Sequence, residues 1–262
     1  MSGASRMPVV FVGHGNPMNA IEDNAFHRSW AEIGRRLPRP KSILCISAHW
    51  ETRGVGLTAM DRPKTIHDFY GFPQALFDVR YAAPGDPALA RRTAALLAAH
   101  NPVLDMDWGL DHGAWSVLIA MYPQADIPVV QLSIDTSKPG AYHYEIGRAL
   151  APLRDEGILI LGSGNIVHNL RLFDFRAQTK LDWAVRFDGV VKKRIAAGEH
   201  DDLIAFETMG ADARLAIPTP EHFVPMLYVL GAQGKAESVS FFNESVMSAI
   251  SMTSVVIGDR VG

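Results

Sequence analysis

The sequence predicts an α/β fold: a single domain with a mixed central β-sheet flanked by helices. Three observations predict it. Short apolar, β-rich runs alternate with helical patterns along the 262 residues. One run, "IPVVQLSI", is nearly continuous in apolar content, as a strand covered on both faces must be. No linker rich in Pro, Gly or Ser and no internal repeat divides the chain, so residues 1–262 read as one domain.

The elements follow in order. Strands are expected over residues 8–12, 42–47, 55–60, 127–134, 158–161, 238–242 and 252–257. In "GDPALARRTAALLAAH" Asp86 is placed to cap a helix whose first residue is Pro87. Pro139 takes a similar place in "SKPGAYHYEIGRALAPL". Over residues 181–197, the spacing of Trp183, Phe187, Val190, Val191 and Arg194 gives one apolar helical face. "TPEHFVPMLYVLGA" starts with Thr219 as cap and Pro220 just inside.

Composition excludes several classes. The formal net charge is −3 and no long basic run occurs, so nucleic acid is not the implied partner. Cys45 is the only cysteine, which rules out a disulfide within the chain and fits a reducing compartment. "MSGASRMPVV" lacks the apolar core of a signal peptide. The longest apolar stretches fall short of the roughly 18 residues of a membrane span. A soluble cytoplasmic protein is expected, with disorder confined to the first six residues and the last few.

The histidines carry the chemical signal. Of ten, His27, His100, His143 and His200 read as structural or solvated. Five others share a setting. His14 follows the strand "VVFV", and His49 follows "ILCIS". His112 lies in "GLDHGAW". His168 follows a buried strand and a Gly-Ser-Gly turn, and His222 lies in "TPEHF" at a helix start. In open α/β sheets ligands bind beyond the carboxyl ends of strands. The flanking glycines suit tight turns and close approach of a ligand. Neutral imidazole is a common ligand of Zn²⁺ and Fe²⁺. A mononuclear metal site and a set of hydrogen-bonded structural histidines both remain open from the residues alone.

Other motifs point elsewhere only weakly. "GSGN" is too short for a dinucleotide fingerprint, and no G-x-S-x-G surrounds Ser163. Cys45 sits inside an apolar strand, as a small buried hydrophobe does. The loop "KTIHDFYGFPQALF" is dense in polar and aromatic residues. It reads either as a wall over a substrate, with His67, Phe69 and Tyr70 near it, or as a surface loop packed on its own aromatics. Trp115 reads as core. A zinc hydrolase using the same histidines is the alternative enzyme, with Glu221 or Glu51 as its base and no need for oxygen.

Taken in order, "GHGNPMNAIEDN", "SAHWE", "HDFYGFP", "GLDHGAWSVL", "GSGNIVHN" and "TPEHFVPMLYVLGA" resemble the 4,5-DOPA extradiol dioxygenase-like proteins. These belong to the class III extradiol ring-cleavage dioxygenases. The resemblance covers most of the chain. It implies one Zn²⁺ or Fe²⁺ at the sheet edge, held by His14, His49 and His222, with Glu221 as the alternative third ligand. It implies His168 as acid/base, able also to approach the metal, and His112 as a second active-site histidine. The implied partners are a small catechol and O₂, the implied product a muconic semialdehyde, and the implied assembly a monomer or homodimer.

Overall fold

The structure is a computed structural model that describes residues 6–174 and 179–258. In chain order it runs β1 (Val9–Gly13), α1 (Ala25–Arg36), β2 (Ser42–Glu51), β3 (Gly56–Thr58), β4 (Lys64–Thr65), α2 (Gln74–Phe77), α3 (Pro87–Leu96), β5 (Val103–Asp105) and β6 (Gly109–Leu110). It continues with α4 (His112–Met121), β7 (Val129–Ile134), α5 (Gly140–Leu150), α6 (Pro152–Asp155), β8 (Ile158–Gly164), α7 (Asp182–Ala197), α8 (Asp201–Ile204), α9 (Ala211–Ala216) and α10 (Val224–Gly231). It ends with β9 (Val239–Phe242), β10 (Val246–Met247), β11 (Ile250–Ser251) and β12 (Ser254–Ile257).

Eight strands form one sheet in the order β5-β3-β7-β2-β8-β1-β12-β9. Its middle, β7-β2-β8-β1, is parallel. β12 and β9 add antiparallel on one side, and β3 pairs antiparallel with β7 on the other. The central sheet is therefore mixed, as expected, and β10-β11 and β4-β6 form two small sheets besides it. Alternate side chains of each strand feed opposite faces. Val9, Phe11, Leu44, Ile46, Ile158 and Ile160 pack with α5, α7 and α10. Val10, Val12, Ile43, Cys45, Leu159 and Leu161 pack with α1 and α4. Both faces are covered, which is why these strands read as unbroken apolar runs.

The helix starts follow local chemistry. Asp86 accepts from the Leu89 amide at 2.9 Å with Pro87 first in α3, as the sequence predicts. Asp111 caps α4 by accepting from the Ala114 amide at 3.1 Å. Pro139 stands one position outside α5 rather than within it.

Several expectations are corrected. β2 runs on to Glu51, so His49 lies within the strand rather than after it. β8 runs through Gly164, so Gly162, Ser163 and Gly164 are strand and not turn. α10 begins at Val224 because residues 219–223 form turns closed by Pro220. On α7 the covered face is Ala184, Phe187, Asp188, Val191 and Ile195, and Val190 is exposed. The expected terminal disorder falls outside the described residues except for Arg6, which lies 3.5 Å from Asp155 and 3.8 Å from Glu237. No helix among the described residues is long and apolar enough to cross a membrane.

Candidate active site

Five histidines converge at the carboxyl end of the parallel strands. His14 directly follows β1, and His49 sits near the end of β2. His168 follows β8 by four positions, where it bridges to Ile250. His112 opens α4, and His222 comes from the turn before α10. The fold delivers each by a different segment, in the place where open sheets bind ligands.

The ring spacing is informative. His14, His49 and His222 have centroids 5.0, 5.3 and 5.1 Å apart, a nearly equilateral triangle. Three imidazoles on one tetrahedral ion, with metal–nitrogen bonds of about 2.1 Å, place their ring centres about 5.2 Å apart. His112 lies 3.8 Å from His49, and His168 stacks on His222 at 3.4 Å. Potential ligand atoms of His14, His49 and His112 all fall within 4.8 Å of one another. The same holds for His168, Glu221 and His222. The three rings expected as ligands therefore straddle two adjoining clusters.

Hydrogen bonds set the tautomers. Ser163 Oγ donates to the Gly113 carbonyl at 2.6 Å, so it accepts from His14 Nδ1 at 3.0 Å. His222 Nδ1 donates to Glu221 Oε1 at 3.0 Å. His112 Nδ1 donates to Asp68 Oδ2 at 2.8 Å. In each neutral ring Nε2 is left with its lone pair. His14 Nε2 meets His49 Nε2 at 3.2 Å. In the bare protein a proton has to stand between them; a cation can take that place. The donor set and its tautomers fit a divalent metal, and partners of this kind orient ligating histidines.

Electrostatics point the same way. Burial, then the neighbouring imidazoles, holds His14 and His222 well below the ordinary 6.5. Burial and His112 bring His49 down to about 3, and burial brings His168 to about 4. All four are neutral and ligand-competent at pH 7. Asp68 is pulled up by burial, but its bonds from His112 prevail and keep it below the usual carboxylate range. These depressed histidines bind protons in the unfolded chain before the folded one. Stability of the metal-free protein is therefore full above 6.5 and is lost as pH falls toward 4. The melting midpoint is expected to drop by roughly 5 °C or more between pH 7 and pH 5 in a thermal scan with chelator present.

The glycines have reasons other than room for a ligand. Gly15 adopts φ +57°, and a Cβ there collides with Met252 Sδ. At Gly113 a Cβ would meet Ser47 Oγ and, at 2.8 Å, His49 Cδ2. The space is filled by neighbouring protein atoms.

Of the loop residues, Phe69 reaches the cluster, its ring 5.5 Å from that of His112. His67 stands one layer back, against Phe69 and Trp115, with Nε2 3.0 Å from the Val79 carbonyl. Tyr70 is not brought to the histidines and is 92% exposed. Trp115 is fully buried, its indole donating to the Ile66 carbonyl at 2.8 Å.

Sequence reasoning missed Asp68, which accepts from the His112 amide at 2.9 Å as well as from its ring. Its signal was present in "HDFYGFP": a carboxylate set among aromatics. It also missed Ser163 and the buried Asp111, which accepts from Ser47 at 2.6 Å and from Gln131 beneath the cluster. Replacing Ser163 by alanine frees His14 to rotate or change tautomer. Metal affinity is expected to fall about 10- to 100-fold, measured by competition with a chelating dye.

Comparison with known proteins places this arrangement. Residues 5–257 match the model of the family described as catalytic LigB subunit of aromatic ring-opening dioxygenase. A 4,5-DOPA dioxygenase extradiol of Escherichia coli K12 is 52% identical, over 97% of this chain and 96% of that protein. Its namesake in Beta vulgaris is 41% identical over 90% of each. The crystal structure of an uncharacterized Escherichia coli K12 protein superposes with a TM-score of 0.85 at 48% identity, covering 97% of this chain and all of that one. A match across nearly the whole chain, on a fold that gathers five histidines at its strand ends, assigns this protein to the LigB family of aromatic ring-opening dioxygenases, as an extradiol enzyme.

Proposed function

We propose that the chain opens the ring of a small, DOPA-like catechol with O₂, beside the diol, to give a muconic semialdehyde. The observation that carries this is the triangle of His14, His49 and His222, with His168 and His112 on its flanks. In this reading those three rings hold one Fe²⁺ or Zn²⁺. Glu221 then acts through His222 rather than as a ligand, since it accepts the His222 Nδ1 proton. Bound there, the metal supplies Lewis acidity that lowers the pKa of a catechol hydroxyl and, as iron, the capacity to activate O₂.

The chain's own residues do the rest. His168 stacks on His222 at 3.4 Å, closer than the roughly 4.5 Å between ring centres of two ligands at a right angle. That supports His168 as a proton carrier beside the metal. Held near 4 by burial, it is unprotonated at pH 7 and free to take a hydroxyl proton. Once protonated it is a better acid than an ordinary imidazolium and returns the proton readily. His112, its Nδ1 held by Asp68 at 2.8 Å, steadies an anionic substrate oxygen by hydrogen bonding. Phe69 forms the wall toward solvent, with His67 packed behind it and Tyr70 exposed on the same loop. The same reading makes the protein cytoplasmic, supported by its single buried Cys45, and a monomer or homodimer.

The hydrolase alternative is not favoured. Glu221 is engaged with His222 and Thr219 through Oε1, and Glu51 is an exposed residue that accepts from Thr136. Anaerobic reconstitution with Fe²⁺, then oxygen uptake and yellow semialdehyde absorbance with a panel of catechols, tests the proposal. Stoichiometric oxygen uptake is expected. No turnover of any catechol at full iron loading overturns it, and oxygen-independent ester cleavage would revive the hydrolase.

A further inference from the structure

Beside His168 lies a pocket of about 230 Å³, walled by Leu170, Arg171, Pro218 and Glu221. Many of the chain's arginines are paired with carboxylates. Arg92, Arg148, Arg154, Arg186 and Arg194 each pair with a carboxylate. Among the described residues the Arg171 guanidinium makes no ion pair and no hydrogen bond, although Glu221 lines the same pocket. Glu221 Oε1 accepts from Thr219 and from His222.

The backbone that presents Arg171 is fixed. Asn169 Oδ1 accepts from the amides of Arg171 and Leu172, at 3.1 and 3.2 Å. Asn169 Nδ2 donates to the Leu215 carbonyl at 2.8 Å, and its own amide donates to Ala249 at 3.0 Å. Asn169 is itself buried. This clamp ties the turn to two other segments and holds Arg171 three positions from His168. The pocket thus offers one cation carried on a fixed backbone, the apolar surfaces of Leu170 and Pro218, and the proposed acid/base His168 in the same lining. A guanidinium is a planar fork that matches a carboxylate with two parallel hydrogen bonds.

We propose that Arg171 is a specificity-determining residue that binds the carboxylate of the substrate, selecting aromatic diols that carry an acid on a short side chain over neutral catechols. The proposal rests on the ring-cleavage reading for the chemistry, and on the pocket for the binding. The diol points to the histidines, the side chain passes Leu170 and Pro218, and the carboxylate ends on Arg171.

The test compares 3-(3,4-dihydroxyphenyl)propionate, its methyl ester and 4-methylcatechol on the iron-loaded wild type and on Arg171→Met and Arg171→Lys. Arg171→Met is expected to raise KM for the acid about 10- to 100-fold and to leave the ester and 4-methylcatechol within about 2-fold. Lysine should restore part of the preference, because it keeps the charge and loses the fork. Equal effects on acid and ester, or none on either, overturn the proposal. The same ligands are titrated anaerobically by calorimetry, which reads binding without turnover. If the wild type turns over no catechol, ring cleavage fails while the calorimetric preference for the acid still decides the role of Arg171. A wild type that binds acid and ester equally overturns it.

Discussion

His14→Ala is expected to empty the metal centre and lower ring-cleavage turnover by about 1000-fold or more, since several kcal/mol of Lewis-acid stabilisation goes with the ion. His14 is almost fully buried, and two of the three ring spacings that make the triangle belong to it. Removing it also leaves Ser163 Oγ without its donor. Elemental analysis after dialysis should find under about a tenth of the wild-type metal. Because a buried position can unsettle the fold, His49→Ala is the companion. Its side chain is 20% exposed, and it contributes the opposite corner of the same triangle. Near-wild-type metal and turnover in both folded variants would remove this triangle as the metal centre.

His168→Ala is expected to separate binding from chemistry. Loss of a positioned general acid/base costs about 10²- to 10⁴-fold in rate. The triangle of His14, His49 and His222 remains, so with metal supplied in excess the metal content should stay within a factor of about two or three of the wild type. The variant leaves a cavity beside His222, where the stacked ring lay 3.4 Å away. Added imidazole should restore part of the turnover. Full activity in the variant would refute the proton-carrying role; loss of the metal together with the activity would make His168 a ligand.

The parallel middle of the sheet was legible because its strands are covered on both faces and read as apolar runs. The edge was not. β5 has three residues, with Val103 64% and Leu104 40% exposed, and carries no alternation to read. β4 and β6 are two residues each. Gly162 and Gly164 looked like a turn because glycine usually punctuates strands. Here they stay extended so that the Pro225 and His222 carbonyls can approach. The histidines were legible by their recurrence at strand ends. Their partners were not, because Asp68 meets His112 across 44 positions and Ser163 meets His14 across 149. Only the folded sheet brings such residues together, and no local pattern marks them.

That last separation has a consequence for how the protein assembles. His14 stands near the beginning of the chain, its hydroxyl partner 149 positions on, and the carbonyl that orients the hydroxyl 50 positions back from it. No fragment that lacks either half can hold the first imidazole in its tautomer. Metal capture by the triangle is therefore expected to need the completed topology and to come late on the folding path, after long-range strand pairing has closed the large loops. Ion binding should then act as a latch: it slows unfolding far more than it speeds folding.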